Sequence, residues 1–193
     1  MIKLGITGGI GSGKSTVSEI LKIMGIPVYI ADIESKKLTE SSPIIREKLI
    51  DVFGSDLYEG DKLNKPLLAS YIFNDKNKLA IANSIIHPEV DKHFINWVEK
   101  KPESPIVAVE TAILFESGMN RFTDKTLMVY TPLEERIKRT MLRDNTTMEK
   151  VKERINSQVS DEEKIKLTDY IIYNDEKQSL IEQCKNLIHN IQQ

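Results

Sequence analysis

Apolar residues recur along this chain in two rhythms. Five short, nearly continuous apolar runs, "KLGIT" (3–7), "IPVYIAD" (26–32), "SPIVAVE" (104–110), "KTLMVYT" (125–131) and "TDYIIYN" (168–174), are too brief for helices and rich in β-branched and aromatic residues. They read as buried strands. The first and the last three are each followed by a helical pattern. After the first, Val17, Ile20, Leu21 and Met24 recur at helical spacing, and Gly25 stands where that helix would end. Near the C-terminus Leu180, Ile181, Cys184, Leu187, Ile188 and Ile191 form a similar stripe. Strands alternating with helices predict an α/β fold with a doubly wound parallel sheet.

Two stretches depart from this alternation. Residues 33–101 are charged and helix-rich, with periodic segments near 43–53, 66–73, 75–86 and 88–101, separated by the turn-like "GSDLYEGDKLNKP" and by Pro88. They carry no convincing buried strand and read as a helical insertion. Residues 134–166 form a second excursion, dense in both signs of charge, which two solvated amphipathic helices would account for. The expected organisation is therefore a core of 1–32, 102–133 and 167–193, interrupted by 33–101 and 134–166.

Composition narrows the function classes. With 193 residues, 40% of them hydrophobic, the chain can bury one substantial core and carry one or two small lobes. A formal net charge of -2 and a pI near 6.0 argue against nucleic acid or an anionic membrane as partner. The single cysteine, Cys184, fits a reducing compartment and sits in an apolar stripe, as a core thiol does. No stretch is long enough to span a bilayer, and a cytoplasmic protein is expected. His87, His93 and His189 have no metal-ligand spacing with one another or with the cysteine.

The chemistry begins at "GITGGIGSGKST", residues 5–16. Gly8, Gly13, Lys14 and Ser15 satisfy G-x-x-x-x-G-K-[ST], with a strand before the loop and a helix after it. Glycines let successive backbone N–H groups turn onto phosphate oxygens, and the helix beginning near Lys14 adds the partial positive charge of its N-terminus. Lys14 would reach the β- and γ-phosphates and Ser15 would offer its hydroxyl to Mg²⁺. The stretch Gly8, Gly9, Gly11, Ser12, Gly13, Lys14, Ser15 and Thr16 is thus expected to bind a nucleoside triphosphate with Mg²⁺. A guanine-reading Asn-Lys-x-Asp element is missing, because "NKPL" at 64 and "NKLA" at 77 lack the aspartate. A compact core with two excursions suits an enzyme that closes over a small acceptor and excludes water.

Further polar residues end the apolar runs. Asp32, closing "IPVYIAD", could take a proton from an attacking hydroxyl, help hold Mg²⁺, or cap a helix. Glu110, ending "SPIVAVE", could orient a metal-bound water, whereas Glu116 reads as a structural hydrogen bond or salt bridge. Arg136, Arg139 and Arg143 recur at i, i+3 and i+7 on one helical face, with Leu133, Ile137 and Met141 on another. Guanidinium groups so placed suit the charge of a transferred phosphoryl group, and Arg139 or Arg143 is the candidate. Two other functions share these features: a nucleoside or nucleoside monophosphate kinase, and a non-catalytic nucleotide-dependent regulatory protein.

Several elements together resemble the dephospho-CoA kinases: "LGITGGIGSGKSTV", the "AD" of "VYIAD", "IHP" at 86–88, "AILFE" at 112–116, "RTMLRD" at 139–144, "RINSQ" at 154–158 and "DYIIYN" at 169–174. The resemblance spans nearly the whole chain. It implies a P-loop fold with a five-stranded parallel sheet flanked by helices, residues 33–101 binding CoA and residues 134–166 forming a lid. It implies ATP-dependent phosphorylation of the ribose 3'-hydroxyl of dephospho-CoA; a monomer or weak homo-oligomer is expected. By the same resemblance Asp32 is the general base, Gly11 to Thr16 bind the ATP phosphates, the arginines of "RTMLRD" are the lid contacts, and "YNDE" at 173–176 lies at the adenine side. Many members have proline and leucine where Ala112 and Ile113 stand here, and glycine or serine in place of Asp175.

Overall fold

The computed structural model describes residues 1–73 and 75–193. Among them, five strands form one parallel sheet: β1 (Ile2–Thr7), β2 (Val28–Ile30), β5 (Ile106–Glu110), β6 (Lys125–Tyr130) and β7 (Tyr170–Tyr173), in the spatial order β2-β5-β1-β6-β7. All four neighbouring pairs are parallel, with Ile6 opposite Glu110 and Tyr130 opposite Tyr173. The chain divides into two compact units, Met1–Ile30 with Lys101–Gln193, and Ala31–Lys100.

In the first unit, α1 (Lys14–Ile23) and α9 (Leu180–Ile191) pack on each other and on the sheet. Leu4, Ile6, Val17, Leu21, Ile106, Leu127, Val129 and Ile172 meet Cys184 and Leu187 in one apolar core. Burial pushes the Cys184 thiol up to about 11, which leaves it inert. Ile181, counted in the α9 stripe, is half-exposed. The helix α1 closes as expected at Gly25, whose φ of 87° lets the N–H of Ile26 return to the carbonyl of Leu21 at 3.0 Å.

The second unit is built around α5 (Lys76–Glu99), against which α2 (Ala31–Ser41), α3 (Pro43–Phe53) and α4 (Lys65–Ile72) pack. Ile45, Leu49, Leu57, Tyr58, Leu68 and Ala82 form its core. Two two-residue strands, β3 (Tyr58–Glu59) and β4 (Lys62–Leu63), make a small hairpin within the turn-like stretch. Side-chain caps start three of the helices: Ser42 for α3, Asn64 for α4 and Asp75 for α5.

Three expectations are corrected here. Pro88 does not break the helix. It removes one N–H, yet Pro88 and the carbonyl-bearing Ser84 are both exposed, so water can serve the orphaned carbonyl. The buried residues Ala82, Val90 and Phe94 recur on one stripe through the proline, which holds both halves in register. The second strand ends at Ile30 rather than Asp32, and Ala31 already begins α2, so Asp32 lies in the first turn of a helix. The charged region after β6 folds as three helices, α6 (Leu133–Asp144), α7 (Met148–Asn156) and α8 (Asp161–Leu167), and two of its charges, Arg136 and Lys164, are buried rather than solvated.

Candidate active site

The loop between β1 and α1 follows directly from the sheet. Thr7 ends β1 beside Met128 of β6, and the glycines turn the chain back so that α1 starts at Lys14. Gly11 and Gly13 adopt φ of 79° and 89°, a region that side chains disfavour. The space around the loop is filled by the protein itself. A Cβ on Gly9 would fall on the guanidinium of Arg136, one on Gly11 would meet the Arg136 carbonyl and the Thr140 hydroxyl, and one on Gly13 would meet the Asn174 amide. Glycine here is required as much by these neighbours as by an incoming phosphate.

Side chains from distant segments fix the loop. Asn174 Nδ2 donates to the Ser12 carbonyl at 2.9 Å, and the Thr131 hydroxyl lies 2.9 Å from that carbonyl and 3.0 Å from that of Asn174. Gln158 Oε1 accepts from the N–H of Ile10 at 3.2 Å. Lys14 Nζ folds over the loop and donates to the carbonyls of Gly8 at 2.9 Å and Gly9 at 3.2 Å. At the end of β5, Glu110 Oε1 accepts from the Ser15 hydroxyl at 3.4 Å. Glu110 Oε2 and Ser12 Oγ are buried and have no hydrogen-bond partner among the described residues. An oxygen set of this kind suits a hard divalent cation carried by phosphates. Among the described residues no group of three or more His, Cys, Asp or Glu side chains could hold a metal alone.

A cleft of about 520 Å³ opens over the loop, lined by Gly11, Gly13, Lys14, Ser15 and Thr16 on one side and by Arg139, Arg143, Asn174 and Glu176 on the other. The backbone bonds of α1 begin with the N–H groups of Thr16 and Val17, both directed to the Gly13 carbonyl at 3.0 and 3.2 Å, and this end of the helix dipole adds positive potential to that of the cations. Arg139 is tied to the segment after β7, reaching the Asn174 carbonyl at 3.4 Å and Glu176 at 3.3 Å. Arg143 is held by Asp144 through Nε at 2.7 Å and Nη2 at 3.1 Å, and Arg154 of α7 bonds the same carboxylate at 2.7 Å. Those hydrogen bonds hold the Asp144 carboxyl well below its ordinary range and raise the Arg143 guanidinium above its own.

Arg136 departs from the expected trio. It is buried, pairs with Asp161 at 2.6 Å and lies over Gly9, away from the cleft that Arg139 and Arg143 line. Burial pushes the Asp161 carboxyl up, against the pull of Arg136, Lys164 and Lys14. The structural role expected of Glu116 is present: it accepts from the Val159 N–H at 2.8 Å and pairs with the fully buried Lys164 at 3.2 Å. Asp32 stands two residues beyond Ile30, the partner of Glu110 across β2 and β5. Thr131, Asp161 and the contacts of Gln158 and Asn174 belong to the site without a local sequence signal for their role, although "RINSQ" and "YN" contain the last two.

A parallel sheet in this strand order, a glycine loop running into α1 and a cationic cleft above it together define a P-loop phosphotransferase. The family model for dephospho-CoA kinase matches residues 2–179, and the chain belongs to the dephospho-CoA kinase family. A dephospho-CoA kinase of Bacteroides fragilis is 49% identical over 187 residues, covering 97% of this chain and 91% of the relative. A solved Thermus thermophilus protein superposes with a TM-score of 0.88 at 32% identity, over 100% of this chain and 98% of the other. The solved dephospho-CoA kinase of Campylobacter jejuni gives a TM-score of 0.72 at 29% identity, over 98% and 96%. No helix among the described residues is long and apolar enough to cross a membrane.

Proposed function

We propose that the cleft over residues 11–16 holds the triphosphate of ATP with Mg²⁺, and that its γ-phosphoryl group passes in line to the ribose 3'-hydroxyl of dephospho-CoA, giving coenzyme A and ADP. The observation that carries this reading is the convergence of Lys14, Ser15, Arg139 and Arg143 on one cleft, in a chain of this family. Lys14 leaves the Gly8 and Gly9 carbonyls for the β- and γ-phosphates, and the loop amides and the start of α1 take the remaining phosphate oxygens. Ser15 and, through water, Glu110 would hold Mg²⁺, which when bound neutralises charge on the β- and γ-oxygens. Asp32 accepts the proton of the 3'-hydroxyl, the role the family resemblance gives it, supported by its place just past the carboxyl end of β2. Arg139 or Arg143 offsets the charge of the transferred group.

Residues 33–101 bind the acceptor and 134–166 supply the closing elements. The enzyme works in the cytoplasm on small molecules, as a monomer or weak homo-oligomer, a setting that suits its one inert, buried thiol. ADP release is the test, measured with ATP and Mg²⁺ and, in separate reactions, dephospho-CoA, each nucleoside monophosphate, and no acceptor. Stimulation by dephospho-CoA alone is expected. Stimulation by a monophosphate instead would assign a different kinase, and none by any acceptor would assign a regulator.

A further inference from the structure

The segment from Gln158 to Lys164 lies inside the charged excursion, yet the structure fastens it to the core at three points and to α6 at a fourth. Gln158 Oε1 takes the Ile10 N–H at 3.2 Å, and the Val159 N–H goes to Glu116 at 2.8 Å. Asp161 pairs with the buried Arg136 at 2.6 Å. Lys164, with no exposed surface, donates to the Ala112 carbonyl at 2.9 Å and pairs with Glu116 at 3.2 Å. Ser160 caps α8 by accepting from the Glu163 N–H at 3.2 Å, which sets the direction in which the helix leaves. A buried lysine and a buried arginine, each held by a carboxylate, are costly to displace. The segment is therefore a strut, held to the core and to the first turn of α6.

We propose that Gln158 is a positioning residue of the phosphate loop: anchored on this strut, its carboxamide fixes the Ile10 peptide and so directs the following amides, Gly11 to Thr16, toward the triphosphate. The inference rests on the reading of the cleft as the ATP site. Two features of the loop make this bond matter. Gly11 and Gly13 can each adopt many backbone conformations, so the one turn closed within the loop, Ser12 N–H to the Gly9 carbonyl at 3.1 Å, leaves the rest of its shape to outside supports. The Gly9 carbonyl of that same peptide accepts from the Ser12 N–H at 3.1 Å and from Lys14 Nζ at 3.2 Å, while Gln158 holds its N–H side, a hold that stays in place when Lys14 turns to the phosphates. The residue type fits too. Glutamine accepts an N–H without charge, whereas a carboxylate in the same place would repel the triphosphate.

The test uses Gln158→Met, which keeps length and packing but loses the acceptor, and Gln158→Glu, which keeps the acceptor and adds a charge. KM for ATP, KM for dephospho-CoA, kcat, melting temperature and hydrogen exchange at the Ile10 amide are read for each, and ATP binding to the wild type is measured by calorimetry. Gln158→Met should raise KM for ATP about tenfold, leave KM for dephospho-CoA within about twofold and speed exchange at Ile10, with the melting temperature little changed. Gln158→Glu should keep Ile10 protected yet raise KM for ATP at low salt, an effect that shrinks as salt is added. An unchanged KM for ATP in Gln158→Met, or fast exchange at Ile10 in the wild type, overturns the proposal. So does a uniform loss in which kcat falls and both KM values rise as the melting temperature drops. If Gln158→Met does not fold, Gln158→Glu decides: loss of Ile10 protection there also overturns it. A wild type that protects Ile10 but binds no ATP would instead refute the assignment of the cleft.

Discussion

Replacing Asp161 with alanine isolates the energetics beneath the phosphate loop. In the native protein the Arg136 side chain is 4% exposed and its counter-ion Asp161 15%, with a separation of 2.6 Å. Removing the carboxylate strands a guanidinium that water cannot reach, and such uncompensated buried charges cost about 3–5 kcal/mol. For a chain of this size each kcal/mol moves the melting temperature by about 2–4 °C, so Asp161→Ala should melt roughly 6–20 °C below the wild type. The control is Arg154→Ala, which breaks an ion pair of similar length to Asp144 on the surface. Its side chain is 52% exposed, Asp144 keeps Arg143, and the loss should stay below about 1 kcal/mol. Burial raises the Asp161 carboxyl in spite of Arg136, so desolvation outweighs their attraction. An apolar pair of matched volume should then serve as well: Arg136→Met with Asp161→Leu should recover most of what Asp161→Ala loses. Circular dichroism melts and urea titrations of the four proteins give the numbers. The reasoning fails if Asp161→Ala and Arg154→Ala lose equal stability, or if the double variant is less stable than Asp161→Ala.

Other outcomes follow from the same geometry. Asp32→Asn should lower kcat roughly 10²-fold or more while leaving KM for ATP nearly unchanged, which steady-state kinetics with both substrates would check. Gly9→Ala, whose methyl would land on the Arg136 guanidinium, should destabilise by about 1–3 kcal/mol in urea titration, because a buried, ion-paired neighbour must move. Asp169 is pushed up by burial but held below its ordinary 3.8 by bonds from the Thr126 hydroxyl and amide and by Lys125. A depressed folded pKa contributes stability above the unfolded value and loses it as pH falls. The stability gap between wild type and Asp169→Asn should therefore be full at neutral pH and close below about pH 3.8 in acid unfolding curves.

What the sequence carried well was local. The strands, the loop and the α1 stop at Gly25 are all written within a few residues, in β-branched runs and in glycines that φ requires. The α2 helix was missed because "IESKKLTES" buries only Thr39 and shows little apolar stripe, so its structure depends on what packs against it. The helix through Pro88 was hidden because proline is read as a stop, whereas burial at Ala82, Val90 and Phe94 outweighs one lost bond on a wet face. Arg136 illustrates the deeper limit. At i, i+3 and i+7 it is indistinguishable from Arg139 and Arg143, and only Asp161, 25 positions on, turns it inward. The loop supports from Thr131, Gln158 and Asn174 are likewise long-range pairings that no periodicity encodes.

The proposed reaction moves phosphate in this cleft from ATP onto dephospho-CoA. It is tested most directly by incubating the protein with ATP labelled in the γ-phosphate, Mg²⁺ and dephospho-CoA, and by locating the label by mass spectrometry and phosphorus NMR. Coenzyme A labelled on the ribose 3'-phosphate is expected, with one ADP formed per product and no transfer by Lys14→Met. Label released as inorganic phosphate, or carried by an acceptor other than the 3'-hydroxyl, would contradict it.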